Sequence, residues 1–397
     1  MGSGNVSAEC LILGGGIIGC AAAYELARRG HRVIVLEKED TACGTVGASG
    51  GLISWFTCLP GPQMELFDIS DRMYEGLEEE LRYNFGLRFG AGNLQLISDE
   101  YELETARKLV AERVRDKREA YIIDINEVRE LEPEVNKELK GAIYIPHAHY
   151  VNPIKMALAY RKAAEDCGAR FYNQEEAIGF LKNKGRIIGV RTVRNRYFAE
   201  RTINCCGVWG GRIAELAGYR LPVTARKGQL LVTEPVSKLC NTAVSSCAWQ
   251  MMMNHPELVK DKRLLRYSLS FTIEQTETGA CILHGTREES AITDVGNEPE
   301  VIELIAQTAC RYIPRLRDMK IIRAFSGLRP WTPDQLPVIG NFPENPELIM
   351  CCGHSGEGIA LAPGTAKALV DWMETGGSPD IRMEAFSPLR WKGTLSD

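Results

Sequence analysis

The order of apolar and polar positions along the chain alternates between short apolar runs and longer segments with helical spacing. Cys10 to Leu13 is an apolar run of strand length. The next segment carries apolar residues at Ile17, Ala21, Tyr24 and Ala27, one face of a helix. Val33 to Leu36 follows as a second buried strand. Met64 to Phe85 is helical in pattern and stops at Gly86, and Leu94 to Ile97 reads as a strand. Tyr101 to Arg118 is a charged amphipathic helix, and Asp124 to Leu131 is a helix halted by Pro133. Ala142 to Ile145 is a strand. Asn152-Pro153 opens a helix from Ile154 to Cys167, with Gly168 as its cap. Arg170 to Tyr172, Ile187 to Val193 and Phe198 to Cys206 read as strands, and Arg212 to Ala217 as a helix.

From Leu221 the pattern shifts toward period two. Arg226 to Thr233, Leu264 to Thr272 and Gly279 to Gly285 read as antiparallel strands, and Glu300 to Tyr312 as a helix. The tail returns to glycine turns at Phe325 to Asp334 and at Gly353 to Gly358. Between them Leu348 to Cys351 is a strand, and Ile359 to Trp372 is a closing helix. The chain thus holds two strand–glycine turn–helix units some three hundred residues apart, as expected if one large ligand is held at both ends. The block between them reads as a mixed or antiparallel α+β domain inserted into a split α/β nucleotide-binding domain. The expected boundaries are 1–86, 150–220 and 325–397 for the nucleotide-binding part, and 87–149 and 221–324 for the substrate part.

The composition fits this picture. A chain of 397 residues is too long for one ordinary core. A net charge of −5 gives no reason to expect nucleic acid, and no apolar run approaches a membrane span. The N-terminal segment lacks the basic and apolar regions of a signal peptide. The 13 cysteines are odd in number and show no metal-binding spacing; Cys205-Cys206 and Cys351-Cys352 are vicinal, poorly suited to a shared bridge or metal. They read as small apolar filler in a reduced, cytoplasmic protein, with no metal expected. His147 and His149, two residues apart at a strand end, read as pocket-lining or solvent-facing.

The most informative stretch is Gly14-Gly15-Gly16-Ile17-Ile18-Gly19. Gly14 permits the sharp turn, Gly16 lets the backbone approach a pyrophosphate, and Gly19 lets the helix pack on the strand. The helix N-terminus at Ile17 and Ile18 then offers its free N–H groups to phosphate. Glu37 ends the second strand eighteen positions after Gly19, where a carboxylate suits ribose hydroxyls and repels a 2′-phosphate. The loop after Lys38 carries Val46, Gly47, Ser49, Gly50, Gly51 and Leu52, a composition that presents N–H and hydroxyl groups to phosphate or to a ring system.

Five separated motifs resemble the FAD-dependent amine and amino-acid oxidoreductases of the D-amino-acid oxidase superfamily, over essentially the whole chain. They are Gly14 to Gly19 with Glu37; Ala48-Ser49-Gly50-Gly51-Leu52; Asn204 to Trp209 followed by Ile213 to Gly218; Gly327-Leu328-Arg329-Pro330 with Thr332-Pro333-Asp334; and Gly353 to Pro363. Cysteines stand at 205 and 206, where the family has alanine. The resemblance implies a split Rossmann-like FAD-binding domain and non-covalent FAD, since the run from Leu328 to Thr332 has no cysteine. It implies cofactor contacts from the first two motifs and Lys38, from Ala177, from Cys206, Gly207 and Trp209, from Leu328 and Arg329, and from Gly356, Glu357, Gly358 and Ile359.

The resemblance further implies that Arg329 binds a substrate carboxylate as a planar fork. His354 either nears the flavin or caps a turn, and Lys227, in an R-K-G-Q turn, reaches substrate or solvent. No general base is required if the substrate enters as the free amine. The expected activity is oxidation of an amino acid to its imine. The closing motif and Arg226 to Pro235 look most like the β subunits of heteromeric opine, hydroxyproline and proline dehydrogenases. That implies a secondary amino acid and an electron-accepting partner subunit. Three alternatives stay open: an oxygen-using D-amino-acid or glycine oxidase, a hydroxy-acid or glycerol-phosphate dehydrogenase, and a flavin-bearing assembly subunit without turnover.

Overall fold

The computed structural model describes residues 6–113 and 118–391. Two large sheets organise them. The first has eight strands, with Val6–Leu13 at its centre, parallel to Val33–Leu36 on one side and to Arg196–Asn204 on the other. Arg170–Tyr172 extends one flank in parallel, and Asn345–Cys352 the other. Buried on both faces, the central strands need continuous apolar runs, and Cys10 to Leu13 and Val33 to Leu36 supply them. Val338–Phe342 adds an antiparallel edge, and the hairpin Ala177–Asn183/Arg186–Thr192 lies antiparallel on Arg196–Asn204.

The helix Ile17–Arg28 packs between Pro153–Asp166 and Gly358–Thr375. Its alanines leave room for close approach, and its one buried carboxylate, Glu25, is matched by Arg28 and Arg29 at 2.6 Å each. Arg29 reaches on to Asp371 and Glu374, tying the first helix to the last.

The second sheet has nine strands and is mixed. Ala243–Ser246 and Asn93–Ile97 run parallel, and all its other pairings are antiparallel. Its long members are Thr224–Thr233 and Ile321–Trp331, paired along their length. The helix Pro299–Tyr312 covers one face, where Leu231, Ile273 and Leu283 join Val301, Leu304 and Ile305 in a core. Among the described residues no helix is long and apolar enough to cross a membrane.

Several elements differ from the sequence reading. The helix expected over Met64 to Phe85 is two, Pro62–Tyr74 and Leu77–Leu81, because Gly76 takes a left-handed φ of 82° between them. The helix begun near Tyr101 runs Glu100–Arg113; residues 114–117 of its expected span lie outside the described residues, as does the N-terminal Met1 to Asn5. The strand expected from Leu264 begins instead as a helix, Lys262–Arg266, capped by Asp261, whose carboxylate accepts from Arg263 N–H at 3.0 Å. The alternation past it is real: Tyr267, Leu269, Phe271 and Ile273 are buried. Ser246 Oγ takes the Phe271 N–H, so the regular ladder begins only at Thr272–Gln275. Phe325 to Trp331, expected as glycine turns, is the second half of an eleven-residue strand. Gly327 sits within it because a Cβ there would come 2.6 Å from Ala48 Cβ. Ala177–Asn183 is a further strand, one that the polar residues within it hide in the sequence.

Candidate functional site

A cavity of about 860 Å³ runs from the carboxyl ends of the parallel strands to one face of the second sheet. Leu13, Leu36, Cys205 and Cys352, at or just past the ends of four of those strands, all line it, the position where open α/β sheets bind ligands.

At its sheet-one end, Gly14 has φ +104°, and a Cβ there would meet Cys205 O at 2.6 Å. Gly14, Gly16, Ile17 and Ile18 line the cavity. Gly16 is the N-cap of its helix with no side-chain cap, and the first turn holds no acid. Those N–H groups are therefore open to an anion. Gly19 lies off the cavity; a Cβ there would meet Gly14 O at 1.9 Å, so this glycine serves helix–strand packing. Glu37 faces the cavity and accepts from Gly15 N–H at 2.7 Å and Glu39 N–H at 2.9 Å. Lys38 Nζ stacks 3.9 Å over the Trp209 ring. Lys38, Ala177, Cys206, Gly207 and Trp209 also line this end.

The glycine loop forms the middle wall. Val46, Ser49, Gly50 and Leu52 line the cavity, whereas Gly47 and Gly51 support the loop from behind. A Cβ at Gly47 would meet Ala42 O at 2.9 Å, and one at Gly51 would meet Val151 O at 1.8 Å. Glu274 holds the loop from the second sheet, accepting from Gly51 N–H at 2.7 Å and Leu52 N–H at 3.3 Å. Gly356, Glu357, Gly358 and Ile359 close the far wall. They form the N-terminus of Gly358–Thr375, again without a side-chain cap or a first-turn acid. An acid at one end and two uncapped helix N-termini, joined by glycine-lined walls, match the needs of a dinucleotide: ribose hydroxyls, pyrophosphate and a ring that gains negative charge.

The second sheet contributes through its period of two. Arg226, Gly228 and Leu230 face the cavity from one strand, and Gly327, Arg329 and Trp331 from its neighbour. Lys227 therefore faces the opposite side and does not line the cavity. Its Nζ pairs with Asp294 at 2.9 Å and Glu298 at 3.2 Å, which corrects its expected place near substrate. Leu328 likewise turns away into a small core, and its carbonyl accepts from Thr45 Oγ1 at 2.8 Å. Arg329 lies over Gly228, where a Cβ would meet its Nη1 at 2.5 Å, and Nη1 donates to Thr286 O at 3.0 Å.

Electrostatics concentrate at this end. Burial lowers the Arg329 pKa to about 10, with Glu357 opposing the shift and Arg226 adding to it. Burial and then the Arg329 charge lower Arg287 to about 9. Both stay protonated at neutral pH. Burial raises Glu357, against Thr57 and the two arginines. His354 lines the cavity, but its Nε2 lies 3.2 Å from Thr365 Oγ1 and burial lowers its pKa to about 3. It is a neutral imidazole held inside its turn.

Sequence reasoning missed Arg226, Arg287, Trp331, Trp249 and the Glu274–His284 pair, all lining the cavity. For Arg226 the signal existed: in a strand containing Arg226-Lys227-Gly228, the residue two before the close-approach glycine shares its face. For the others the signal is tertiary. All thirteen cysteines are free thiols, and burial raises most of them, Cys10 to about 12. His149 is buried against Asp71 at 3.0 Å, and His147 meets Glu119 at 3.1 Å in solvent.

Comparison with known proteins agrees with this geometry. Residues 9–372 match the family described as FAD dependent oxidoreductase. Hydrogen cyanide synthase subunit HcnC of Pseudomonas aeruginosa is 28% identical over 407 residues, covering 92% of each chain. Glycine oxidase of Pseudomonas putida is 26% identical over 96% of this chain and 99% of its own. Among solved structures, glycine oxidase from Geobacillus kaustophilus superposes with a TM-score of 0.85 at 25% identity, over 97% of this chain and 99% of the other. L-proline dehydrogenase from P. horikoshii gives a TM-score of 0.86 at 23% identity, over 99% and 100%.

Proposed function

We propose that this chain, which belongs to the family of FAD-dependent oxidoreductases, oxidises an amino acid at its C–N bond to an imine, which water then hydrolyses. The substrate class is a secondary amino acid of the proline, hydroxyproline, sarcosine or opine type, and the electrons pass to a partner acceptor. Non-covalent FAD supplies the two-electron acceptor that no side chain can provide. Gly14, Gly16, Glu37, the Ser49–Leu52 loop and the Gly358 helix N-terminus are the groups that would hold it.

The observation that carries the reading is Arg329. Its guanidinium lines the cavity, and its Nη1 is fixed by Thr286 O. Among the described residues no carboxylate lies within 4.0 Å of it. A fixed cationic fork in a walled cavity calls for a planar anion, and a substrate carboxylate satisfies it. Pinning that carboxylate positions the adjacent α-carbon and so converts binding into orientation. Trp331, Trp249 and Leu230 add apolar surface to the same cavity. His284 lines the same cavity with its Nε2 3.6 Å from Glu274 Oε1, a contact that turns this nitrogen toward the carboxylate. The amino-acid reading is in line with the relatives named glycine oxidase, and the partner acceptor with the relative named as a subunit of hydrogen cyanide synthase.

Arg329→Lys keeps the charge and loses the fork. It should retain FAD while kcat/KM for a carboxylate-bearing amine falls by about one to three orders of magnitude, roughly 1.4 kcal/mol per tenfold. An amine without a carboxylate should lose far less. Equal losses for both would make Arg329 a structural residue and remove the case for an amino acid. Running the assay with a dye acceptor and with oxygen alone tests the partner-acceptor reading, which rapid peroxide formation without dye would defeat.

A further inference from the structure

The sheet-two end of the cavity holds more positive charge than one carboxylate can answer. Arg226, Arg287 and Arg329 all line it, and among the described residues none has a carboxylate within 4.0 Å. Glu357 acts on Arg287 and Arg329 only across space, and its Oε2 is already engaged by Thr57 Oγ1 at 2.9 Å. Cations held together in a walled site, without direct partners, cost stability unless a ligand brings the missing anions.

Two of the three are built as receptors. Arg329 is fixed through Nη1 to Thr286 O at 3.0 Å. Arg287, the next residue after Thr286, is fixed the same way: its Nη1 donates to Gly285 O at 2.9 Å and to Ser270 Oγ at 3.1 Å. Its guanidinium also lies 4.4 Å over the Trp249 ring, which sets its plane. In both residues Nε and Nη2, the edge that forms a side-on pair with a carboxylate, have no protein acceptor among the described residues. Arg226 differs. It is stacked at 4.0 Å on Trp331, and among the described residues it has no hydrogen bond to fix its fork.

We infer that the substrate carries a second carboxylate, and that Arg287 is the specificity-determining residue that receives it while Arg329 receives the first. The class is an imino- or aminodicarboxylic acid, with the reacting C–N bond between or beside its two anchored ends. This rests on the amino-acid reading above and narrows it. Two forks anchored at neighbouring positions of one chain segment hold both ends of such a molecule. A monocarboxylate would leave Arg287 unpaired.

The test pairs iminodiacetate with sarcosine, which share a secondary amine and an N-bound carbon and differ by one carboxylate. The flavin-loaded wild type should prefer iminodiacetate in kcat/KM by about a hundredfold, the worth of one bidentate charged pair. Arg287→Met should cut that preference at least tenfold, chiefly through KM. A binding arm needs no turnover: in flavin difference spectra, the Kd of glutarate should rise about tenfold in Arg287→Met, and that of butyrate should move much less. If that variant fails to fold, wild-type glutarate and butyrate affinities decide alone. Equal wild-type affinity for the two, an unchanged preference in Arg287→Met, or loss of preference in Arg226→Met alone would each overturn the inference. If no amine reduces the flavin but glutarate still binds through Arg287, the amino-acid reading fails while the dicarboxylate site stands. If sarcosine outperforms iminodiacetate, the reverse holds.

Discussion

His354 shows how a residue can stand in the right place with the wrong chemistry. Its position before the closing helix was legible in the motif, but its charge state depends on packing that no motif records. Burial holds its pKa at about 3, against about 6.5 for a free imidazole. Between those values the unfolded chain binds a proton that the folded chain refuses. The stability linked to His354 is therefore intact above about pH 6.5 and declines as pH falls toward 3, by up to about 1.4 kcal/mol per unit. His354→Gln removes the titrating group while leaving an amide that can reach Thr365. Its melting temperature should fall less steeply than wild type between pH 6.5 and 4.5, as read by thermal melts of the flavin-loaded protein. Parallel curves would mean the imidazole titrates normally. The same limit explains Lys227: its residue type and turn were legible, but which side of the strand it faces is fixed by pairing with Ile321–Trp331.

At the level of elements, the two strand–glycine turn–helix units were read correctly because each signals locally. An apolar run, a glycine that cannot carry a Cβ and a helix with a buried face fall within thirty residues. The second sheet was less legible. Its strands are short, its partners distant in sequence, and side chains such as Asp261 and Ser246 redirect the backbone before the ladder begins. The Glu274 contact could not be read at all, since it joins Thr272–Gln275 to a loop more than two hundred residues earlier. Burial pushes the Glu274 pKa up, but His284 at 3.6 Å and the Gly51 and Leu52 N–H groups outweigh it, so the net shift is downward. The stability it gives is present above the ordinary carboxylate range near 4.3 and is lost as pH falls through its lower folded value. Glu274→Gln should destabilise the protein by about 1.5–3 kcal/mol, the range for hydrogen bonds to a charged group. Hydrogen exchange at the Gly51 and Leu52 amides should accelerate in step. Unchanged protection there would show that the loop is held by other contacts.

Across the whole molecule, the cavity lies between two sheets that also share a core, in which Ile97, Ile143 and Ile145 of the second pack with Ile12 and Val35 of the first. Its walls come from the parallel sheet, the glycine loop, the closing helix and the inner face of the second sheet. FAD in this cavity would touch all of them, so the cofactor is expected to act as a structural member, stabilising the fold by RT ln(1 + [FAD]/Kd), about 2.7 kcal/mol at a hundredfold excess over Kd. Glu37 separates this contribution from the fold's own. In the structure it accepts two backbone N–H groups, from Gly15 and Glu39, at the ribose end and far in sequence from Arg329. Glu37→Ala removes the carboxylate from the proposed ribose hydroxyls and also frees those two amides. The expected result is FAD affinity lower by about tenfold to a hundredfold, consistent with loss of charge-assisted hydrogen bonds. The FAD-induced rise in melting temperature should shrink by the corresponding amount. Comparing apo proteins isolates the cost of the freed amides, and titrating FAD into each isolates the ribose. Undiminished affinity in a folded Glu37→Ala protein would place the adenosine elsewhere. Weaker affinity with an unchanged apo melting temperature would show Glu37 to be a ligand of the cofactor rather than a brace for the glycine turn.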